Sequence, residues 1–236
     1  MEIMEPNPRI LVLTLCIGAD YRRKLQDCLA SKEAYCKKHG YTYILAGEEF
    51  WDRERPIPWS KIGFYSKYIR EAMETGKYDY IWCSDADVYI TNLETRVEDV
   101  VKDLFPPNKD LLMTMDACHH INSGNIIFRP CAWALDYLKR VYQRTDAIYH
   151  IWWENKAMCD IFEESDEDRA HLEVAKEHYR FNAYIMGMPG ERLWEHGDFL
   201  IHFAGVYDPK KMAVLIDDVK AGKTPRLDMY NGQRLD

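Results

Sequence analysis

The feature that most constrains the fold is a short, uninterrupted apolar run near the start of the chain. Residues 9–16 read RILVLTLC, a pattern typical of a strand that is buried on both faces. A helical pattern follows over residues 22–39 and stops at Gly40, and residues 41–45 predict a second strand. Because helical crossovers join parallel strands, this β-α-β opening predicts an α/β fold with a mostly parallel sheet.

The rest of the chain predicts further helices and strands, bounded by Gly, Pro and charged residues. We expect helices near residues 59–75, 95–104, 131–145, 153–163 and 209–222. We expect strands over residues 80–83, 110–115, 179–186 and 198–203, and a loop that enters a strand over residues 121–129. The charged run EESDEDR, residues 163–169, is interpreted as a solvated turn. With no repeat and no linker, a single domain over residues 1–236 is predicted.

Composition restricts the class of protein further. The 236 residues are 47% hydrophobic and 30% charged, which is ordinary for a soluble globular protein and excludes wholesale disorder. The formal net charge of −8 argues against nucleic acid or an anionic membrane as the main partner. A local basic pocket for a phosphate remains compatible with that charge.

The sequence shows neither a membrane span nor a signal peptide. The apolar run at residues 10–17 has about eight residues, whereas a span needs about 20. The N-terminus, with Glu2, Glu5, Pro6 and Pro8, lacks the basic region and apolar core of a signal peptide. The seven cysteines include no CxxC pair, so we interpret them as reduced, mostly buried thiols rather than zinc ligands. Together these features predict a cytoplasmic protein.

Two carboxylates, Asp85 and Asp87, follow the predicted strand at residues 80–83. Ligands of open α/β sheets bind at the carboxyl ends of strands, and Mn²⁺ and Mg²⁺ prefer oxygen ligands that they share with substrate phosphates. The pair therefore predicts a divalent metal site. A solvated turn or a helix cap is the alternative interpretation.

A second motif, GDFLIHFAG, occupies residues 197–205 and ends a predicted strand at a histidine. Neutral imidazole can serve as a third metal ligand, and Gly205 would let the backbone approach a phosphate closely. Lys210 and Lys211 follow and can neutralise a diphosphate. Alternatively, His202 is a hydrogen-bonded histidine of the core.

Two further polar motifs suggest contacts with a sugar. Asp116 and the segment Asn122-Ser123-Gly124-Asn125 carry carboxylate, hydroxyl and amide groups that suit sugar hydroxyls, or they form a turn with no ligand. Glu154 and Asn155 stand at a helix start, where they are either caps or a polar pair beside a reacting carbon. Trp152 and Trp153 precede them as core residues or as a stacking platform for a sugar.

Together these motifs resemble the retaining GT-A glycosyltransferases of family GT34, a group of galactosyl-, mannosyl- and xylosyltransferases. The matching segments occur in family order: WSKIGFYSKYI (59–69), YDYIWCSDADVYITN (78–92), INSGNIIFR (121–129), WWENKAM (152–158), FNAY (181–184) and GDFLIHFAG (197–205). The more distant GT8 group shares the Asp-x-Asp, the Asn-x-Gly strand and the His-x-x-Gly.

The resemblance implies a fold and a set of ligands. The fold would be a Rossmann-like GT-A domain with a mostly parallel central sheet flanked by helices. Residues of about 9–92 would bind the nucleotide, those of about 110–205 the donor sugar and the acceptor, and a C-terminal helix would close the domain. Asp85, Asp87 and His202 would hold Mn²⁺ or Mg²⁺ on the diphosphate of a nucleotide sugar, with UDP favoured over GDP.

The resemblance also implies individual roles. The nucleoside would lie against Thr14 and Leu15, and the diphosphate would lie near Lys61, Asp85 and Gly205. The donor sugar would contact Asp116, Asn122 and Ser123. The anomeric carbon would lie beside the catalytic pair Glu154 and Asn155. Asn155 stands where the family has the longer Gln. The plant enzymes carry a phosphate-binding Lys close after His-x-x-Gly, a role that would fall here to Lys210 or Lys211.

The resemblance therefore predicts transfer of a hexose or pentose to a glycan or glycoprotein acceptor with retention of anomeric configuration. Since eukaryotic members are usually membrane-anchored, it favours a bacterial or viral origin. A non-catalytic nucleotide-sugar-binding module is one alternative. A HAD-like phosphatase is another, although Tyr89 stands where that motif normally has Thr or Val.

Overall fold

The computed structural model describes residues 8–235, and within them strands and helices alternate along the chain. The strands are β1 (Ile10–Leu15), β2 (Thr42–Ala46), β3 (Tyr80–Ser84), β4 (Val88–Ile90), β5 (Leu111–Met115), β6 (Ile121–Phe128), β7 (Leu172–Ala175) and β8 (Leu200–His202). The helices are α1 (Ala19–Lys24), α2 (Gln26–His39), α3 (Ser60–Thr75), α4 (Val97–Leu104), α5 (Ala132–Gln143), α6 (Trp153–Glu164), α7 (Asp166–His171) and α8 (Pro209–Lys220). The prediction about a signal peptide rests mainly on residues 1–7, which lie outside the described range.

Six of the strands form the central sheet, in the order β2-β1-β3-β6-β5-β7. β1 pairs in parallel with β2 and β3, and β5 pairs in parallel with β7, while β6 runs antiparallel to both of its neighbours. The expected α/β fold with a mostly parallel sheet is thereby confirmed. β4 and β8 form a separate antiparallel ribbon at the carboxyl end of β3.

The strands alternate their side chains between two buried faces. Leu11 and Leu13 of β1 pack under α3, α5 and α6, whereas Ile10 and Val12 pack under α2 and α4. Burying each such aliphatic side chain contributes about 1.5–3 kcal/mol. Helices on both faces therefore explain why β1 is a continuous apolar run rather than an alternating one.

Most predicted elements are present, with small shifts at their ends. The predicted helix over residues 22–39 is two helices, because Leu25 leaves helical geometry between α1 and α2. Strands β4 and β7 were not predicted from the sequence. No helix among the described residues is long and apolar enough to cross a membrane. All seven cysteines are free thiols, and four of them are buried, namely Cys16, Cys28, Cys36 and Cys83.

The interpretation of residues 163–169 as a solvated turn was wrong, because Glu163 and Glu164 end α6 and α7 begins at Asp166. Ser165 caps α7 by accepting a hydrogen bond from the backbone N–H of Asp168 at 3.1 Å. The carboxylate of Asp168 is itself buried and accepts two hydrogen bonds from Arg140, at 2.6 and 2.7 Å, and one from Trp133 at 3.0 Å. The ion pair between the buried Asp168 and the partly exposed Arg140 therefore ties this helix to α5.

The predicted strand over residues 179–186 was also wrong. A 3₁₀ turn spans His178–Arg180, and the backbone N–H groups of Phe181 and Asn182 donate to the carbonyl of His178. Among residues 8–235, this segment has a single β-type backbone pairing with β8, the bridge between Ala183 and Ile201. The apolar residues here are buried by a turn rather than by a sheet.

Candidate metal and donor site

The Asp-x-Asp motif lies in a turn between β3 and β4. The backbone N–H of Asp85 donates to the carbonyl of Gly124 at 2.8 Å, and the N–H of Val88 donates back to Asp85 at 3.2 Å. β3 therefore delivers both carboxylates to its carboxyl end, where ligands of α/β sheets bind.

His202 reaches the same place from a much later part of the chain. It is the last residue of β8 and lies opposite Val88 in the ribbon, while the N–H of Phe203 donates to the carbonyl of Asp87 at 3.1 Å. One ligand atom each of Asp85, Asp87 and His202 lies within 4.8 Å of the others. Two carboxylates and one imidazole form a donor set that suits Mn²⁺, so the residues fit the expected cation.

The charges around Asp87 favour its ionised form. Burial alone would raise the pKa of this carboxyl, but the nearby His202 and Lys32 lower it below its ordinary value. A carboxylate must be deprotonated to bind a metal ion. The surroundings of Asp87 therefore suit a metal ligand at neutral pH.

A buried lysine lies between the metal cluster and the start of α6. The Nζ of Lys61, in the first turn of α3, lies 2.9 Å from Oδ1 of Asp85 and 2.6 Å from Oε1 of Glu154. Burial works to lower the pKa of Lys61, but the two carboxylates raise it well above its usual value. Burial raises the pKa of Glu154, which Lys61 opposes. Glu154 thus serves as an ion-pair partner rather than as a helix cap.

A second buried lysine was missed in the sequence. Lys32 of α2 is fully buried, and its ammonium donates a hydrogen bond to the backbone carbonyl of Asp85. Burial lowers the pKa of Lys32 to about 8. The sequence does indicate that Lys32 is buried, because it follows the buried Cys28 and Leu29 at helical spacing on the apolar face of the predicted helix.

Of the residues expected at the donor sugar, Asn122 and Ser123 lie beside the cluster, because Gly124 of the same strand lies against the ring of His202. Asn122 and Ser123 belong to β6 rather than to a loop, and Asn125 of the same strand pairs with Ser84 at the end of β3. Oδ1 of Asn122 accepts a hydrogen bond from the N–H of Gly124 at 2.8 Å. Oδ1 of Asp116 accepts from two backbone N–H groups of its own turn, at 2.8 and 2.9 Å. Protein partners therefore occupy one oxygen of each of these two side chains.

The start of α6 is strained and partly exposed. Trp153 has a φ of 46°, in the left-handed region, where a non-glycine residue usually marks strain. Trp152 and Trp153 are 40% and 37% exposed, so neither is a core residue. Asn155 donates from Nδ2 to the carbonyl of Ile121 at 3.0 Å, and its Oδ1 is buried with no hydrogen-bond partner in residues 8–235.

The remaining expected residues are more scattered. Thr14 is fully buried at the end of β1, so Leu15, which is partly exposed, is the one of the pair that a nucleoside can reach. Gly205 has a φ of +80°, a conformation that favours glycine. It lines a cavity of about 320 Å³ with Lys211, whose ammonium donates to the carbonyl of Gly232. Lys210 is exposed in the first turn of α8.

With this geometry in view, residues 6–109 match the sequence profile of the galactosyl transferase GMA12/MNN10 family, GT34. The similarity to GT34 is confirmed. The profile covers the nucleotide-binding part that the GT34 resemblance implies, including Lys61 and the Asp-x-Asp turn. No curated protein sequence matches the chain.

Solved structures show the fold. A glycosyltransferase involved in the glycosylation of the major capsid of PBCV-1 superposes with a TM-score of 0.65 at 18% identity, over 89% of this chain and 99% of that one. A Drosophila β1,4-galactosyltransferase 7 variant in complex with manganese, UDP-Gal and xylobiose gives a TM-score of 0.48 at 15% identity, over 84% of this chain and 72% of that one. The GT34-like chain has a GT-A fold, with Asp85 and Asp87 at a strand end.

Proposed function

We propose that this protein is a metal-dependent glycosyltransferase that moves a hexose or pentose from a nucleotide sugar to a glycan or glycoprotein acceptor, with retention of anomeric configuration. UDP is favoured over GDP as the nucleotide. One observation carries the proposal: the ligand atoms of Asp85, Asp87 and His202 converge within 4.8 Å at a strand end of a GT-A fold. The HAD-like alternative gains no support from this fold.

The cluster would hold Mn²⁺ or Mg²⁺. When bound, the ion supplies positive charge that stabilises the negative charge developing on a departing diphosphate. In the proposal, residues of about 9–92 bind the nucleotide and those of about 110–205 bind the donor sugar and acceptor. Gly205 would lie against the phosphates, and Lys210 or Lys211 would add cationic charge there.

The ion pairs of Lys61 support the metal ligands. Its ammonium lies 2.9 Å from Oδ1 of Asp85 and restricts the rotation of that carboxylate. The same ammonium holds Glu154 at 2.6 Å. Because Glu154 is paired in this way, its oxygen is a weaker nucleophile than a free carboxylate would be, which favours a reaction without a covalent intermediate.

We therefore propose front-face substitution. The bond between C1 of the sugar and the phosphate oxygen breaks, and its electron pair stays on the diphosphate. The acceptor hydroxyl oxygen bonds to C1 from the same face, and its proton passes to the departing phosphate oxygen. Asp116, Asn122 and Ser123 would orient the donor sugar, and Glu154 and Asn155 would stabilise the positive charge that develops at C1.

The first test is a thermal-shift titration with Mn²⁺, UDP and GDP, alone and combined. A nucleotide at 100 times its dissociation constant stabilises the folded state by about 2.7 kcal/mol, which corresponds to a rise in Tm of about 5–10 °C for a chain of this size. We expect a Mn²⁺-dependent shift that Asp87→Ala abolishes and that Asp99→Ala, at an exposed position on α4, retains. A wild-type protein that shows no shift with either nucleotide at millimolar concentration would contradict the proposed donor site.

The second test separates turnover from binding. A set of UDP- and GDP-sugars is incubated with Mn²⁺, glycan acceptors and the protein, and NMR follows release of the diphosphate and the configuration of the product. Binding without release would favour the non-catalytic module, and an inverted product would refute retention. Double displacement through Glu154 would require a glycosyl adduct on that residue in the wild type, which mass spectrometry would detect and Glu154→Gln would remove.

A further inference from the structure

Behind His202 lies a network of buried polar side chains. Trp82, Asn125 and Asn182 are fully buried, and His202 is 3% exposed. Nδ1 of His202 lies 3.0 Å from Oδ1 of Asn182, and Nε2 lies 3.5 Å from Oδ1 of Asp87. The two ring nitrogens therefore face different partners, and the proton on the ring decides which nitrogen can bind a cation.

One chain of hydrogen bonds fixes Asn182 from the side of β3. The indole N–H of Trp82 can only donate, and it lies 3.0 Å from the side-chain oxygen of Asn125. The amide of Asn125 is thereby oriented, and its Nδ2 donates to Oδ1 of Asn182 at 3.0 Å. The atom of Asn182 that faces His202 is therefore an acceptor.

A second series of hydrogen bonds, from β6, orients the amide of Asn182 in the same way. The backbone N–H of Gly124, also a pure donor, lies 2.8 Å from Oδ1 of Asn122. That oxygen accepts from Nδ2 of Asn182 at 3.0 Å. The hydroxyls of Thr114 and Tyr184 lie 3.1 and 2.6 Å from the same Nδ2. Both chains orient the Asn182 amide in the same way.

We propose that Asn182 is a positioning residue that fixes the tautomer of His202. Because Oδ1 of Asn182 can only accept, Nδ1 of His202 carries the hydrogen, and the lone pair of the neutral ring lies on Nε2, toward Asp87. A divalent cation then meets a ligand atom that is already unprotonated. The consequence for metal binding rests on the proposed function, whereas the tautomer does not.

Without Asn182, the proton of the His202 imidazole would no longer be confined to Nδ1. With no acceptor at Nδ1, the neutral imidazole can place its proton on Nε2, where Asp87 accepts it and a cation must displace it. Partners that orient a metal-binding histidine typically contribute 10- to 100-fold in metal affinity. We expect a loss in that range for Asn182→Leu.

The test starts with the metal-free wild-type protein. Long-range ¹H–¹⁵N NMR, at a pH of about 8.5 where an ordinary imidazole is neutral, is expected to show the proton of His202 on Nδ1. Asn182→Leu should move it toward Nε2. Tyr184→Phe is the matched control, because it removes a hydroxyl from Nδ2 of Asn182 and leaves Oδ1 in place.

A Mn²⁺ titration followed by electron paramagnetic resonance gives the second readout. We expect affinity to fall about 10- to 100-fold in Asn182→Leu and to stay near wild type in Tyr184→Phe. A wild-type ring protonated on Nε2 would overturn the inference whether or not any variant folds, and so would an Asn182→Leu protein with wild-type tautomer and affinity. The Nδ1–H tautomer in a wild-type protein with no Mn²⁺ affinity would support the role of Asn182 and refute the proposed metal site.

Discussion

Replacing Lys61 with Met tests how much the ion pairs of Lys61 with Asp85 and Glu154 contribute to the stability of the folded protein. Lys61→Met leaves the carboxylates of Asp85 and Glu154 without the ammonium that lies 2.9 and 2.6 Å away. Removing one partner of a buried ion pair costs about 3–5 kcal/mol. The side chain of Asp85 is 25% exposed, so water can solvate part of its charge. We therefore expect Lys61→Met to lower the free energy of unfolding by about 3 kcal/mol, the lower end of that range. This corresponds to a fall in Tm of about 6–12 °C.

The loss of stability in Lys61→Met should depend on pH, because Glu154 can take up a proton. Burial already raises the pKa of Glu154 in the folded protein, and removal of Lys61 raises it further. A group with a raised folded pKa stabilises fully below its unfolded pKa, about 4 for Glu, and loses that contribution as pH rises through its folded pKa. The deficit of Lys61→Met should therefore be small near pH 4.5 and grow toward pH 7.5.

Urea unfolding at both pH values measures this deficit. Lys67→Met is the control, since Lys67 is exposed on the same helix and should change stability by less than about 1 kcal/mol. Adding Glu154→Gln to Lys61→Met should recover part of the loss, because an amide needs no counter-ion. An equal deficit at both pH values, or one within error of Lys67→Met, would refute the charge argument.

Two further predictions concern the surroundings of the site, and a third concerns the ion pair of Asp168 in α7. Because burial lowers the pKa of Lys32 to about 8, wild-type stability should rise between about pH 8 and 10 relative to Lys32→Met; parallel urea-unfolding profiles would contradict this. Gly124→Ala should abolish the Mn²⁺-dependent thermal shift, since its Cβ would lie 2.1 Å from Cε1 of His202, whereas Gly63→Ala, with open space around it, should leave the shift intact. Asp168→Asn should cost about 1–3 kcal/mol at neutral pH in urea unfolding. Because Arg140 lowers the pKa of Asp168 to about 2, that difference should vanish as pH falls from about 4 to 2, and a difference that persists at pH 2 would count against the pair.

Five of the six strands of the central sheet, all except β7, could be predicted from local patterns. The apolar run of β1, the glycine stop after α2 and the strand before Asp85 are all properties of neighbouring residues. Residues 209–220 form the closing helix, with Asp208 as its cap and Pro209 in its first turn. The resemblance to GT34, which rests on the order of the motifs, also predicts that His202 lies with Asp85 and Asp87.

Elements that depend on distant partners could not be predicted in this way. β4 has only three residues and is a strand because β8 pairs with it. Asn182 lies in a segment whose apolar residues suggested a strand, yet its role depends on Asn125, 57 positions away, and on His202, 20 positions away. Lys32 is different, because a lysine on an apolar helical face is a local signal that could have been used.

The ribbon of β4 and β8 also determines when the site can form during folding. It joins residues that are far apart in the sequence, and the hydrogen bond beside it from Thr91 to Asp198 spans 107 positions. Contacts of such sequence separation form late and slowly, because loop closure costs entropy before they are made. A chain emerging from the ribosome would therefore complete β1, β2 and β3 long before His202 joins Asp87. The cation site would then be among the last parts of the molecule to mature.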